Sequence, residues 1–234
     1  MSKQSSSPSE RRSFLTRLNA GVTSLAAMAV GGVAMAQVKP TATARWEPAR
    51  HDKDDWLDKL PGKHRLLFDT TTPEGLGNAL LFANNFMRVN RTDYGLENSD
   101  LAVVIVARHG ATPLGYNDAM WAKYGTTLAA RSKVEDPTTK LAPKRNISNA
   151  ADYGDLAANR GTTLDSLFKQ GVQLAVCATA TRGVSRLIAE AVGGNIDAIY
   201  NELTANLVSN ARMVPAGIVA VNRAQERGYS LAST

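Results

Sequence analysis

Short apolar runs alternate along this chain with longer segments in which apolar residues recur every three or four positions. The longest run is nearly continuous and rich in β-branched residues, a pattern typical of a strand that is buried on both faces of a sheet. Runs of this kind, or shorter ones bounded by turn residues, lie at 64–69, 100–110, 172–177, within 211–217 and at 229–232. The sequence therefore predicts about five strands.

The segments between the runs predict helices. The first long helix follows the first strand, with Thr72 as its N-cap and Pro73 in its first turn. Further helices are predicted at 54–60, 114–125, 162–171, 183–194, 195–210 and 216–228. Gly125 is expected to end the helix that precedes it. Residues 126–160 are polar and contain two prolines, so they are expected to form a long excursion with little helix.

The alternation of buried strands with helices predicts an α/β fold, a three-layer α/β/α arrangement with a mostly parallel open sheet of about five strands. Ligand and catalytic sites in such sheets lie outside the carboxyl ends of the strands. We expect an irregular lead-in at residues 37–63 and the α/β domain at residues 64–234. Residues 1–36 have a different character.

The N-terminal 36 residues have the features of a twin-arginine (Tat) signal peptide. Arg11 and Arg12 are adjacent, a weakly apolar stretch rich in small residues follows, and Ala34 and Ala36 occupy the positions of an A-x-A cleavage site. We expect cleavage after Ala36 and a periplasmic protein, exported by the twin-arginine pathway. An uncleaved membrane anchor is the alternative.

The net charge of +6 is partly a property of this leader, which holds four Lys and Arg residues against a single Glu. The remaining basic residues are scattered rather than clustered, so no nucleic-acid partner is expected. No second apolar stretch is long enough to span a bilayer, so no membrane association is expected after cleavage.

Cys177 is the only cysteine, so it cannot form a disulfide within the chain. It lies where a predicted strand ends and a helix is about to begin, with Thr179 or Thr181 placed to cap that helix and Arg182 a few residues on. A helix N-terminus and a nearby cation both favour the nucleophilic thiolate. Free cysteine is also among the most buried residue types, so a structural role stays open.

His109 ends the second predicted strand and is a candidate base, ligand or hydrogen-bond donor beside Cys177. An ordinary loop histidine is the alternative. The three histidines and Cys177 share no spacing typical of a metal site, so no metal is expected. The segment GLGNAL lacks the third glycine of a dinucleotide-binding loop, so no cofactor is expected either.

Three segments together resemble the DsrE/DsrF-like family, the fold of small sulfur-relay proteins. They are DLAVVIVARHGAT at 100–112, LFKQGVQLAVCATATRG at 167–183 and MVPAGIVAVNRAQERGYSL at 213–231. The resemblance covers about residues 64–231 and implies a three-layer, usually oligomeric domain. It also implies a cysteine that carries sulfur as a persulfide, which by motif is Cys177. Relay members work in the cytoplasm and lack the long 126–160 excursion, so this chain resembles an exported branch.

These observations support three functional hypotheses. The first is a periplasmic sulfur carrier in which Cys177 accepts and donates sulfur, helped by Arg182 and His109, with a sulfur donor or acceptor protein as partner and a homo-oligomer as the expected state. The second is a non-enzymatic module that binds a small anionic ligand at the strand ends while Cys177 only packs. The third is an assembly subunit that uses apolar helix faces. Whether the protein is an enzyme stays open.

Overall fold

The structure is a computed structural model and describes residues 46–234. The expected signal peptide and the first part of the lead-in lie outside the described residues. The compact unit runs from Glu47 to Thr234. It therefore includes the second half of the lead-in, where Leu57 is buried and its carbonyl accepts a hydrogen bond from the Tyr229 hydroxyl at 3.0 Å.

One five-stranded sheet, in which every neighbouring pair is parallel, forms the centre of this unit. Its strands are β1 (His64–Thr70), β2 (Leu101–Ala107), β3 (Gln173–Cys177), β4 (Ala211–Val214) and β5 (Ser230–Ser233), in the spatial order β4-β3-β2-β1-β5. The predicted fold class, α/β with three layers and a parallel sheet, is confirmed.

Helices cover both faces of the sheet. They are α1 (Trp56–Lys59), α2 (Pro73–Tyr94), α3 (Asp118–Ser132), α4 (Leu164–Phe168), α5 (Ala178–Val192), α6 (Ile196–Ala205) and α7 (Gly217–Gln225). Short 3-10 segments lie at Asp52–Asp54, Asn98–Asp100, His109–Gly115, Ile147–Asn149 and Ala151–Leu156. Apolar residues of α2 to α6 pack in one core on one face, and those of α1 and α7 pack in a second core on the other.

Strand β2 shows why the sequence pattern is near-continuous. All seven of its residues are buried, because helices lie over both faces. Val103 and Ile105 belong to the core under α2 to α6, whereas Val104 and Val106 belong to the core under α7. Successive side chains of a strand point to opposite faces, so an apolar residue is needed at every position.

Helix α2 begins as the sequence predicts. The Thr72 side chain accepts a hydrogen bond from the backbone N–H of Gly75 at 3.0 Å, and Pro73 occupies the first helical position. This cap fixes the point where β1 turns into α2, and so shapes one part of the strand-end edge of the sheet.

Several predicted boundaries are wrong. The helix predicted to begin at Gly183 begins five residues earlier, at Ala178, directly after Cys177. Strand β2 ends at Ala107 rather than running on to residue 110, because the chain turns at Arg108 into the 3-10 segment. Gly125 does not end a helix, since α3 continues through it to Ser132. A Cβ on Gly125 would lie 2.4 Å from the carbonyl oxygen of Pro143. This glycine is therefore a point of close approach between α3 and the excursion that follows.

The excursion after α3 is irregular apart from its two short 3-10 segments, and one asparagine attaches it to the body. The buried Asn146 side chain donates to the carbonyls of Leu114 and Tyr116 at 2.7 and 2.9 Å. The excursion was expected to begin at residue 126, but residues 126–132 form the last two turns of α3. Within residues 46–234, no helix combines the length and apolar character needed to cross a membrane.

The contact at Gly125 generates a prediction about stability. Gly125→Ala should lower the free energy of unfolding by about 1–3 kcal/mol, because the added methyl group forces α3 away from the Pro143 backbone. Gly183→Ala is the matched control. Nothing lies within 4 Å of its added Cβ on α5, so the change should stabilise the helix by about 0.5–1 kcal/mol. Urea unfolding midpoints of the two variants measure both effects, and equal midpoints would contradict the close approach.

Candidate functional site

Three polar side chains lie at the carboxyl ends of three neighbouring strands. Asp69 is near the end of β1, Arg108 follows the last residue of β2, and Cys177 ends β3. Ala107 pairs with Val176 in the parallel register, so Arg108 and Cys177 follow at adjacent positions on neighbouring strands. By the two-residue period of a strand, all three side chains belong to the face covered by α7.

Arg108 and Asp69 form a bidentate ion pair. Nε and one terminal nitrogen of the guanidinium donate to the two carboxylate oxygens at 2.7 and 2.8 Å. The hydrogen bond to Asp69 raises the pKa of Arg108 above its ordinary value, and the electrostatic effect of Cys177 adds a smaller contribution in the same direction. The pair has no net charge, and it fixes the Arg108 guanidinium at the end of β2, the strand next to β3.

The first residue of α7 closes over Arg108. A Cβ on Gly217 would lie 2.6 Å from the Cβ of Arg108. Only glycine allows the helix to begin this close to the arginine stem. The side chains of Arg108 and Asp69 are 27 % and 11 % exposed, so the ion pair lies near the surface rather than deep in the core.

Cys177 is the N-cap of α5. The helix begins at the very next residue, and the Cys177 Sγ accepts a hydrogen bond from the backbone N–H of Ala180 at 3.4 Å. Sulfur thus occupies the place that a Ser, Thr or Asp oxygen usually takes at a helix start. The N–H groups of the first turn and the helix dipole both favour negative charge there. Cys177 is 6 % exposed.

Neither of the two threonines expected to cap α5 does so. Thr179 is exposed, and its hydroxyl donates to the Pro215 carbonyl in the loop after β4 at 3.0 Å. Thr181 is buried, and its hydroxyl donates to the Cys177 carbonyl at 2.9 Å while accepting from the Tyr116 hydroxyl at 2.9 Å. Burial raises the pKa of Tyr116, which keeps this phenol a neutral donor.

Arg182 is engaged elsewhere. Its guanidinium donates to Asp197 at 2.5 Å and lies 3.8 Å from the centre of the Tyr200 ring, both on α6. Helical spacing also places Arg182 more than one turn after the N-cap. The structure therefore makes Arg108 the cation beside Cys177 and gives Arg182 a role in joining α5 to α6.

His109 lies in the wall of a cleft whose lining does not include Cys177. The residue is exposed, has a left-handed backbone conformation with φ of 54°, and its Nδ1 lies 3.5 Å from a terminal nitrogen of Arg131. Of the three predicted site residues, only Cys177 is thus found at the junction of β3 and α5. Asp69 and Arg108 were missed, although both stand at the ends of predicted strands.

Comparisons with known proteins give little context for this site. No model of a known protein family matches the chain, and no curated protein matches it. One solved structure, described as a protein of unknown function, MTH1491 from Methanobacterium thermoautotrophicum, matches with a TM-score of 0.37 and 15 % identity, covering 74 % of this chain and 100 % of that one. At that TM-score the likeness carries no argument, so the resemblance to the DsrE/DsrF-like family stays a prediction.

No group of three or more His, Cys, Asp or Glu side chains that could hold a metal ion occurs among the described residues. The polar groups at the strand ends are the Cys177 sulfur, the Arg108–Asp69 ion pair and the N–H groups of α5.

The two arginines offer a matched test of which cation acts on Cys177. Arg108→Gln should slow alkylation of Cys177 at pH 7 by about threefold or more, because the thiolate is the reacting form and the Asp69 carboxylate nearby loses its counter-charge. Arg182→Gln should leave the rate within about a factor of two, since its guanidinium is held on α6. Rates of iodoacetamide labelling, followed by intact mass, distinguish the two variants. A larger effect of Arg182→Gln would overturn the assignment.

Proposed function

We propose that this protein carries sulfane sulfur as a persulfide on Cys177, outside the cytoplasm. The observation that carries the proposal is that the Cys177 Sγ is the N-cap of α5 and accepts the N–H of Ala180. A thiolate and an anionic persulfide both gain from those N–H groups and from the helix dipole. At the neighbouring strand end, Arg108 and Asp69 form a bidentate ion pair.

The reaction is an exchange between sulfur atoms. The Cys177 thiolate attacks the outer sulfur of a donor persulfide, R–S–SH. A new S–S bond forms to Cys177, the S–S bond of the donor breaks, and the donor leaves as the thiolate RS⁻. The proton stays on the transferred sulfur, and no electrons are gained or lost overall. An acceptor thiolate then attacks the outer sulfur, and Cys177 leaves as the thiolate.

The burial of Cys177 restricts which molecules reach it. The two residues that follow it are half-buried Ala178 and exposed Thr179, so the sulfur lies just below the surface. The hydrogen bond from Thr179 to Pro215 holds the loop after β4 against this start of α5. A carried sulfur in this position is open to small thiols at the surface, and a partner protein reaches it by displacing the loop.

A single cysteine fits a carrier that exchanges sulfur between proteins. With no second cysteine in the chain, a persulfide on Cys177 has no internal thiol that could resolve it into a disulfide. The sulfur donor and acceptor are then separate proteins. Export by the twin-arginine pathway and assembly into a homo-oligomer stay predictions.

The burial of Cys177 also favours a second candidate function. At 6 % exposure this residue has the burial typical of a structural cysteine. The protein would then be a non-enzymatic binding module in which Cys177 only packs between β3 and α5.

Exposure to polysulfide separates the two candidates. The purified protein should gain the mass of one or more sulfur atoms, because Cys177 attacks the sulfane sulfur, and Cys177→Ser should gain none. Dithiothreitol should remove the added mass and release hydrogen sulfide, which distinguishes a persulfide from irreversible oxidation. Intact mass spectrometry before and after reduction makes the measurement. A folded wild-type protein that takes up no sulfur would favour the binding module.

A further inference from the structure

A cleft of about 540 Å³ opens beside His109, within the range of small-molecule sites. Four parts of the chain enclose it: the turn from β1 into α2, the start of the 3-10 segment after β2, the last turn of α3, and the excursion that follows α3. Its lining residues include Glu74, His109, Arg131, Ser132, Lys133 and Glu135. Cys177 is not among them, so the cleft is unrelated to the proposed sulfur chemistry.

The cleft has charges of both signs in equal number. Arg131 and Lys133 are its cations, and Glu74 and Glu135 are its carboxylates. In the part of the chain that the structure describes, none of these four side chains has an ion-pair partner within 4.0 Å. Unpaired charges of both signs around one concave surface suit a ligand that itself carries both charges.

The anionic end of such a ligand has defined donors. A terminal nitrogen of the Arg131 guanidinium lies 3.5 Å from Nδ1 of His109. The guanidinium carries five N–H donors and no acceptor, so Arg131 offers N–H groups to a carboxylate beside the His109 ring. The start of the 22-residue helix α2, at Thr72 and Pro73, lies in the same wall and adds the positive end of its dipole.

A buried hydroxyl in the same wall lacks a partner. Ser132 is 4 % exposed, and its Oγ makes no hydrogen bond to any residue that the structure describes. A serine at this point of a helix normally bonds the carbonyl one turn earlier. Leaving a buried polar group unpaired costs free energy.

The remaining wall of the cleft is apolar. Val134, Ile147 and Leu156 line it, and Leu156 is 67 % exposed. A leucine side chain that is this exposed beside a cleft gains from contact with an apolar ligand group. The ligand therefore needs an apolar body of a few carbon atoms in addition to its two charges.

We propose that this cleft binds a small zwitterion of the α-amino acid class with an apolar side chain. The carboxylate is received by Arg131 and the start of α2, beside the His109 ring. The ammonium group is received by Glu74 and Glu135, and the side chain lies against Val134, Ile147 and Leu156.

Calorimetric titration of the full chain with four matched probes tests this assignment. L-leucine has both charges and the apolar group, L-leucinamide lacks the carboxylate, 4-methylpentanoate lacks the ammonium group, and glycine lacks the apolar group. L-leucine should bind, and each of the other three should bind about tenfold more weakly or worse, because each lacks one recognised group. Equal binding of 4-methylpentanoate and L-leucine would overturn the zwitterion assignment, as would no binding of L-leucine at millimolar concentration.

Variants locate the binding. Arg131→Gln and Glu135→Gln should each weaken L-leucine binding by about tenfold, whereas Arg88→Gln on the exposed side of α2 is the matched control and should leave it unchanged. Cys177→Ser should bind L-leucine as the wild type does, so a failure of the sulfur-carrier proposal leaves this test intact. Binding that survives Arg131→Gln would place the ligand elsewhere and refute the assignment.

Discussion

The hydrogen bond from the Ala180 N–H to the Cys177 sulfur is the interaction on which the proposed function depends. It exists because β3 ends and α5 begins without a single linking residue. The last residue of the strand must therefore cap the helix, and the chain has a sulfur atom at that place. Oxygen caps serve only to satisfy the first turn of a helix, whereas a sulfur cap is also a nucleophile once it is deprotonated.

The parallel sheet determines what surrounds this sulfur. The carboxyl ends of all strands lie at one edge in a parallel sheet, and the order of the strands decides which of them are neighbours. Because β3 lies beside β2, the strand ends that carry Cys177 and Arg108 are neighbours. Because β2 lies beside β1, Asp69 is placed to form an ion pair with Arg108. Gly217 then lets α7 begin directly over the arginine. The result is a thiol between a helix N-terminus and a fixed cation, close to the surface and not widely open.

Much of the fold follows from local pattern. The run at 100–110 predicts a strand buried on both faces, and Thr72 with Pro73 predicts the start of α2, because burial and capping act over a few residues. Gly125 was predicted to end a helix, but the helix continues through it. The sequence does not distinguish a glycine that ends a helix from one that allows a close backbone contact. A glycine is required at position 125 because the Pro143 carbonyl lies against the helix there, a contact that forms only once the chain has folded.

The site was less predictable than the fold for the same reason. Nearness in sequence favoured Arg182 as the cation for Cys177, but the helix carries that side chain towards α6. Arg108 lies almost seventy residues earlier, and the pairing of β2 with β3 brings it to the strand end beside that of Cys177, which requires the strand order. The cleft at His109 likewise needs four separated segments, and no motif in the sequence marks it.

The most direct test of this account compares the alkylation rate of Cys177 in the native protein with that of the same protein unfolded in urea, at one pH below neutrality. An unfolded chain exposes the thiol fully but removes the helix N-terminus and Arg108. The account predicts that the native thiol reacts at least as fast as the unfolded one, because the N-terminus of α5 favours an anion at the sulfur. A thiol that reacts only after unfolding would contradict the account and leave Cys177 as a packing residue.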